Sequence, residues 1–356
     1  MTPADLSRTV LHAVRRAVDE DALRAPVPAR VRVERTRPGG SGDYACAVAL
    51  QLAGPAALPA LEVARILRER VAAEPGIGRV EITGPGFLSF TLDTPADRRG
   101  ALLDAVREQG LAYGHGDALR GEVIRLHHAS EVRAAVTVDA VRRLLTAQGA
   151  DVRISRDGGG DRAWSRLGVT ADARETTPDA LAATVRPVPA GATAAELLER
   201  LGADATRWGL LRPAGHDRAP LGDDLLVQGE ANALFRVRYA HARTRALTRG
   251  AAALGFASAP GAGPGEPAAR PLLDLLADHP AVLLAAARHR APDRLARQLE
   301  AVAHAFFVLH DTCPPLPAGD EKPSAAHRAR LALAEAAGTV LAGGLSLLGI
   351  RAPEHL

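Results

Sequence analysis

Cysteine is almost missing from this 356-residue chain: Cys46 and Cys313 lie far apart in no paired spacing. That excludes a disulfide framework and the paired-cysteine zinc sites, and it fits a reducing compartment. Lysine is scarcer still. Every basic residue except Lys322 is arginine, which beside the abundant alanine, glycine and proline reads as the imprint of a GC-rich genome, not as a functional choice. The N-terminus has no long apolar run and carries Asp5, Arg8, Arg15 and Arg16, so no signal peptide or membrane span is expected and the expected location is the cytoplasm. What the chain does have is an apolar fraction of 47%, ample for packed cores, in a length that suits two or three domains. The net charge of +3 is modest, so a case for a polyanionic partner must come from local clustering.

Periodicity divides the chain. Leu6, Val10, Leu11, Val14 and Val18 mark a helix, RVRVER at 30–35 and YACAVAL at 44–50 alternate as strands on either side of a Pro38-Gly39-Gly40 turn, and LEVARILRERVA after Pro59 is a second helix ended by Pro75-Gly76. A hairpin about Gly84-Pro85-Gly86 completes a small α/β domain with helices on one face of its strands, assigned to 1–118. From Glu122, EVIRLHH reads as a buried strand, Val132 to Gln148 as a helix and Asp151 to Ser155 as a parallel strand: one βαβ unit of a reduced Rossmann-like fold, assigned to 119–200. The pattern then fades into Gly158-Gly159-Gly160, read as a flexible loop, and a polar stretch. Residues 201–356 read as a helical bundle interrupted by a Gly/Pro-rich linker and the Pro314-Pro315 loop. The expected fold class is therefore α/β plus all-α.

One predicted helix is strongly basic. No acidic residue lies between Glu230 and Glu266, while Arg236, Arg238, Arg243, Arg245 and Arg249 fall inside it. At 3.6 residues per turn Arg238, Arg245 and Arg249 form a narrow stripe with His241 beside it, and Arg236 and Arg243 mark the other side. Such a stripe suits a phosphate backbone. Phe235 and Tyr239, one turn apart, are either a packing pair or a platform for unpaired bases.

Three blocks resemble the arginyl-tRNA synthetases: Gly42-Asp43-Tyr44 with CAVALQLA and VEITGPGFLSFTL near the start, Gly202 to Arg207 with Asn232 to Arg243 in the second half, and the closing run ARLALAEAAGTVLAGGLSLLGIRAPEHL. The order of the blocks is that of the family, and the nearest likeness is to its truncated actinobacterial-type anticodon-binding relatives. The resemblance implies an N-terminal tRNA-reading domain, for which Tyr44 and Phe87 are the aromatic candidates, and a DALR-type anticodon-binding bundle. It implies structural charge pairing for Asp204 and Arg207 and a core position for Trp208.

The family's ATP-binding HIGH tetrapeptide aligns with His128-Ala129-Ser130-Glu131, where only the first histidine is kept. The lysine-bearing KMSK-type loop aligns with Val185 to Ala190, which has no lysine. His127 and His128 read by themselves as a strand end with one satisfied and one solvated imidazole. These replacements argue against ATP binding, and no cofactor or metal is expected. The expected function is a non-catalytic tRNA-binding protein that clamps one tRNA, arginine tRNA being the candidate, with the middle segment as a structural spacer. The alternatives are residual arginine–tRNA ligase or aminoacyl-transfer activity, and an interaction module for a synthetase or other translation component. No membrane or DNA partner is expected.

Overall fold

The computed structural model describes residues 3–36, 41–72, 74, 76–92, 96–159, 161–169, 174–175, 182–259 and 266–356, and falls into two compact units, Met1–Arg98 and Arg99–Leu356. The turn expected at Pro38-Gly39-Gly40, Pro75 and Gly160 lie outside the described residues.

In the first unit α1 (Pro3–Asp19) buries Leu6, Val10, Ala13, Val14 and Ala17, the stripe that its spacing requires. Strands β1 (Val33–Arg35) and β2 (Tyr44–Cys46) lead into α2 (Val48–Ala56) and α3 (Ala60–Val71), and a hairpin of β3 (Ile77–Thr83) and β4 (Phe87–Leu92) follows. The sheet order is β1-β2-β4-β3, antiparallel throughout, with Tyr44 opposite Phe90. The strand expected over 44–50 stops at Cys46. Val48, Ala49 and Leu52 are the buried residues of a helix instead, since a short run of alanine and valine satisfies both periods. Between β1 and β2, Gly42 holds φ at +77° and a Cβ there would lie 2.8 Å from the Phe90 carbonyl oxygen, so only glycine passes. The next residue exploits that approach: Asp43 donates its N–H to Phe90 (2.7 Å) and accepts the N–H of Leu92 (3.0 Å).

The boundary between the units falls inside α4 (Ala96–Gln109), most of which belongs to the second. The second unit's sheet has the order β7-β6-β5-β8, all parallel, from β5 (Val123–His128), β6 (Asp151–Arg156), β7 (Arg174–Glu175) and β8 (Ala183–Val185), with α5 (Val132–Thr146) as the crossover. Helices α6 (Ala194–Leu211), α7 (Ala233–Ala253), α8 (Arg270–Arg288), α9 (Pro292–Thr312) and α10 (Ala325–Leu347) complete it. The expected division at 200/201 falls inside α6, which starts at a capping box of Thr193 and Glu196 and bends at Gly202. One continuous apolar core runs from Leu103 through Val136, Val141 and Leu144 to Leu345 and Ile350. The reason is α5: residues Val132 to Val141 are all buried, which a helix reaches only with the sheet on one side and helices on the other. The βαβ remnant is therefore part of the same folded unit as the bundle.

His279 on α8 is fully buried, with Nδ1 3.1 Å from Gln298 Oε1 and its ring stacked on Tyr113. Burial pushes its pKa down to about 4, with a smaller contribution from nearby His115. Because the folded value lies below the unfolded one, the unfolded chain alone gains a proton between about pH 6.5 and 4. Stability should therefore fall across that window as pH drops, by roughly 3 kcal/mol at its lower end. Urea midpoints measured from pH 7 to 4 should fall less steeply for His279→Gln; an identical pH slope in both proteins would refute the assignment.

Candidate nucleic-acid interface

Helix α7 is fixed at its start by Asn232, whose Oδ1 accepts the N–H groups of Leu234 and Phe235 while Nδ2 donates to the carbonyls of Leu225 and Val227. This cap sets the face that α7 turns to solvent. Tyr239 is 43% exposed and belongs to an aromatic ladder: it stacks on Phe235 and on Phe307, both at 5.6 Å between centroids, Phe307 meets Phe306, and Phe306 in turn meets His310. The two readings of Phe235 and Tyr239 thus coexist, since the packed pair is itself the support of an exposed aromatic step. Arg243 stands beside it, donating to His310 Nε2 at 3.2 Å. Phe307 and His310, from α9, were not singled out in the sequence because nothing in their own spacing marks them.

The basic stripe differs from its expected form. Arg238, Arg245 and Arg249 do share one side of α7, but groups remote in sequence close on it, acids on the first two and a histidine on the third. Asp204 approaches Arg238 at 3.9 Å, Glu354 pairs with Arg245 at 3.0 Å, and His355 meets Arg249 at 3.4 Å. The acid-free interval counted only neighbours along the chain. His241 is not on the surface: it is buried, with Nδ1 2.9 Å from the Pro353 carbonyl, and burial lowers its pKa. Neutral imidazole must then carry its proton on Nδ1 to donate to that carbonyl. Arg236 is half-buried and Arg243 exposed, on the side of Tyr239.

Asp204 and Arg207 do serve the fold through charge, though not with one another. Asp204 accepts from Arg351, and Arg207 pairs with Asp139. Trp208 is in the core. In the first unit Tyr44 is a core residue with the Arg35 guanidinium 5.3 Å above its ring, so it offers no face to a ligand. Phe87, at the first position of β4, is 37% exposed.

At the C-terminal end of β5 the described side chains are engaged with the chain itself. His127 and His128 are both buried, against the expectation that one is solvated. His127 is held by Ser155 (2.9 Å) and Asp157 (3.0 Å), and His128 Nδ1 lies 2.8 Å from the Ala129 carbonyl, with its pKa lowered chiefly by burial. Ser130 donates to the Gly159 carbonyl. Glu131 is the N-cap of α5: one carboxylate oxygen accepts from Ala134 N and the other from Ala190 N, both at 2.9 Å. A helix N-terminus is an anion site, and here the anion is the protein's own carboxylate, bridged to the segment where a triphosphate-clamping loop was expected. The space beneath His128 and Trp164 measures about 10 Å³, room for about one water.

Next to Glu131, the wholly buried Arg133 donates to the carbonyls of Leu210, Val188, Asp217, Pro213 and Ala214 at 2.6 to 3.4 Å. A charged residue at the second position of a helix, among the small and apolar residues of its first two turns, was the signal available in the sequence.

A parallel sheet that shares one apolar core with a helical bundle carrying an exposed aromatic step is the arrangement that the resemblance to arginyl-tRNA synthetases implies. The described family models agree: residues 5–92 match the arginyl tRNA synthetase N terminal domain and residues 237–356 the DALR anticodon binding domain. The arginine–tRNA ligases of Renibacterium salmoninarum and Frankia alni are 28% and 27% identical over the whole of both chains, and that of Micrococcus luteus is 40% identical over 43% of this chain and 30% of its own. The Thermus thermophilus arginyl-tRNA synthetase superposes with a TM-score of 0.70 at 15% identity over 100% of both chains, and the Plasmodium falciparum enzyme with 0.68 at 9% over 99% of both. The chain belongs to the arginyl-tRNA synthetase family. The Renibacterium alignment runs over 551 positions, of which this chain can fill at most 356.

Proposed function

We propose that this chain binds tRNA and does not activate arginine. The observation that carries the reading is Glu131, whose carboxylate occupies the N-terminus of α5 and is tied to Ala190. A phosphate charge brought to about 4 Å from it would meet roughly 4 kcal/mol of repulsion at an effective dielectric near 20. Replacing a transition-state donor forfeits roughly another 2.7 to 4 kcal/mol, and together these suppress activation by several orders of magnitude. The aligned positions that this chain leaves empty support the same reading, because both of its ends match family models. Binding is supported by the anticodon-binding domain match over 237–356 and by the Phe235, Tyr239 and Phe307 step with Arg243 beside it. That combination suits the unstacked bases of an anticodon loop, and arginine tRNA is the candidate from the relatives' names.

Arginine-dependent pyrophosphate exchange, with and without added tRNA, is expected at background, while RNA co-purified with the protein should be tRNA. Tyr239→Ala should weaken tRNA binding by 1 to 3 kcal/mol, about 5- to 150-fold, with little change in its salt dependence. Exchange at the rate of an ordinary synthetase, or purification free of tRNA, would overturn the reading.

A further inference from the structure

The second unit has another cationic site, at the opposite end of α9 from the aromatic step. A cleft of about 460 Å³ lies between the loop at 213–217 and the turn joining α8 to α9. Arg133 forms part of its lining with Arg290, Arg294 and Arg297, and the carboxylates present are Asp217 and Asp293. Asp293 is taken by Arg297. Arg133 spends its donors on carbonyl oxygens, so its charge has no directly bonded carboxylate. Among the described residues Arg290 and Arg294 have no ion-pair partner either. Four guanidiniums against Asp217, Asp293 and Glu131, which acts on Arg133 through space, leave the cleft positive.

Arg290 adds an independent observation. Its φ is +52°, at the position that closes α8, where Ala291 N donates to the Ala286 carbonyl and Arg290 N to that of Ala287. Glycine is the usual residue there, because a Cβ strains this conformation. A strained backbone that presents an arginine at the rim of a cationic cleft points to use of that arginine. Guanidiniums match phosphate oxygens in pairs. The lining has no aromatic ring apart from His216 and His289, so a base has nothing large to stack on and the phosphate is what is recognised. Along α9, Arg294 precedes Phe307 by 13 residues, about 20 Å of helix. Thirteen residues also turn the helix through about 220°, so a strand that serves both sites passes around α9 as well as along it and needs more than the about six nucleotides that the axial distance alone takes at roughly 3.4 Å per phosphate.

We propose that this cleft holds backbone phosphates of the same tRNA whose unpaired bases lie on the aromatic step, an inference that rests on the proposed function. The test is the salt dependence of tRNA binding for Arg290→Gln with Arg294→Gln, both exposed positions, with the corresponding pair of lysine substitutions as control. Two lost phosphate contacts should make the slope of log affinity against log salt shallower by about 1.5, and the lysine pair should restore most of it. Titration with inorganic phosphate forms the second arm. Unaltered tRNA affinity and slope in the glutamine variant overturn the proposal, and loss of inorganic phosphate binding alone assigns the cleft to a free phosphate compound and overturns it too. Both of those results leave the proposed function standing if Tyr239→Ala still weakens binding, whereas a wild-type chain that binds no tRNA overturns both.

Discussion

Arg133→Ala is expected to abolish cooperative folding of the second unit or to lower its stability by about 5 kcal/mol or more. One buried guanidinium serves five carbonyls drawn from the Val188 segment, the end of α6 and the 213–217 loop. An orphaned buried acceptor costs about 1 to 3 kcal/mol. The adjoining cleft lets water reach some of these oxygens, so the lower end of that range applies to each. Even then the loss rivals the whole stability of an ordinary domain, about 5 to 15 kcal/mol. Arg133→Lys should recover only part of it, since an ammonium keeps the charge but has three donors on a different geometry. Urea denaturation followed by circular dichroism decides the matter: a midpoint for the alanine variant within error of wild type would show that the carbonyls are satisfied without Arg133.

Arg133 also shows where the sequence stops being legible. The helix that carries it, the parallel strands β5 and β6, the hairpin of β3 and β4 and the helices of the bundle all follow from apolar spacing, caps and turn residues, which are local quantities. Strands β7 and β8 do not, because two or three residues are too few to show a period. Nor do the partners of charges. The stripe of Arg238, Arg245 and Arg249 looked uncompensated because Asp204 and Glu354 reach it through tertiary packing. His241 looked like a surface neighbour of that stripe until the Pro353 carbonyl covered it. In the candidate site, Tyr239 was readable as an exposed aromatic, whereas Phe307 and His310 joined it only through the packing of α9 on α7. At the C-terminal end of β5 the replacement by Glu131 was visible, but not that the carboxylate caps a helix and holds Ala190.

Asp139→Asn should destabilise the second unit by about 3 to 5 kcal/mol, the usual cost of removing one partner from a buried ion pair. Asp139 and Arg207 are each only 1% exposed in their side chains and meet at 2.8 Å. Arg142 and Arg143 also bind the carboxylate, both at 3.0 Å, while Arg207 donates onward to the carbonyls of Leu348 and Leu167. Burial alone would raise the Asp139 pKa, but Arg207 and Arg143, with hydrogen bonds from Arg142 and Arg207, outweigh it and hold the carboxyl below its ordinary value. Its contribution is therefore present above the unfolded pKa near 4 and is lost as pH falls through the lower folded value. Gly349 completes the arrangement, since at φ +70° it passes so close that a Cβ would overlap the Arg207 guanidinium. Removing the charge of Asp139 leaves Arg207 buried and hydrogen-bonded to carbonyls, with only the more distant charge of Asp204 to oppose its own. Removing both charges, in Asp139→Asn with Arg207→Met, should cost less than the two single losses added together, because neither charge is then stranded. Urea midpoints of the four proteins form the cycle, and a single Asn variant that loses less than about 1 kcal/mol would show that Arg207 is held by Leu348 and Leu167 without its carboxylate.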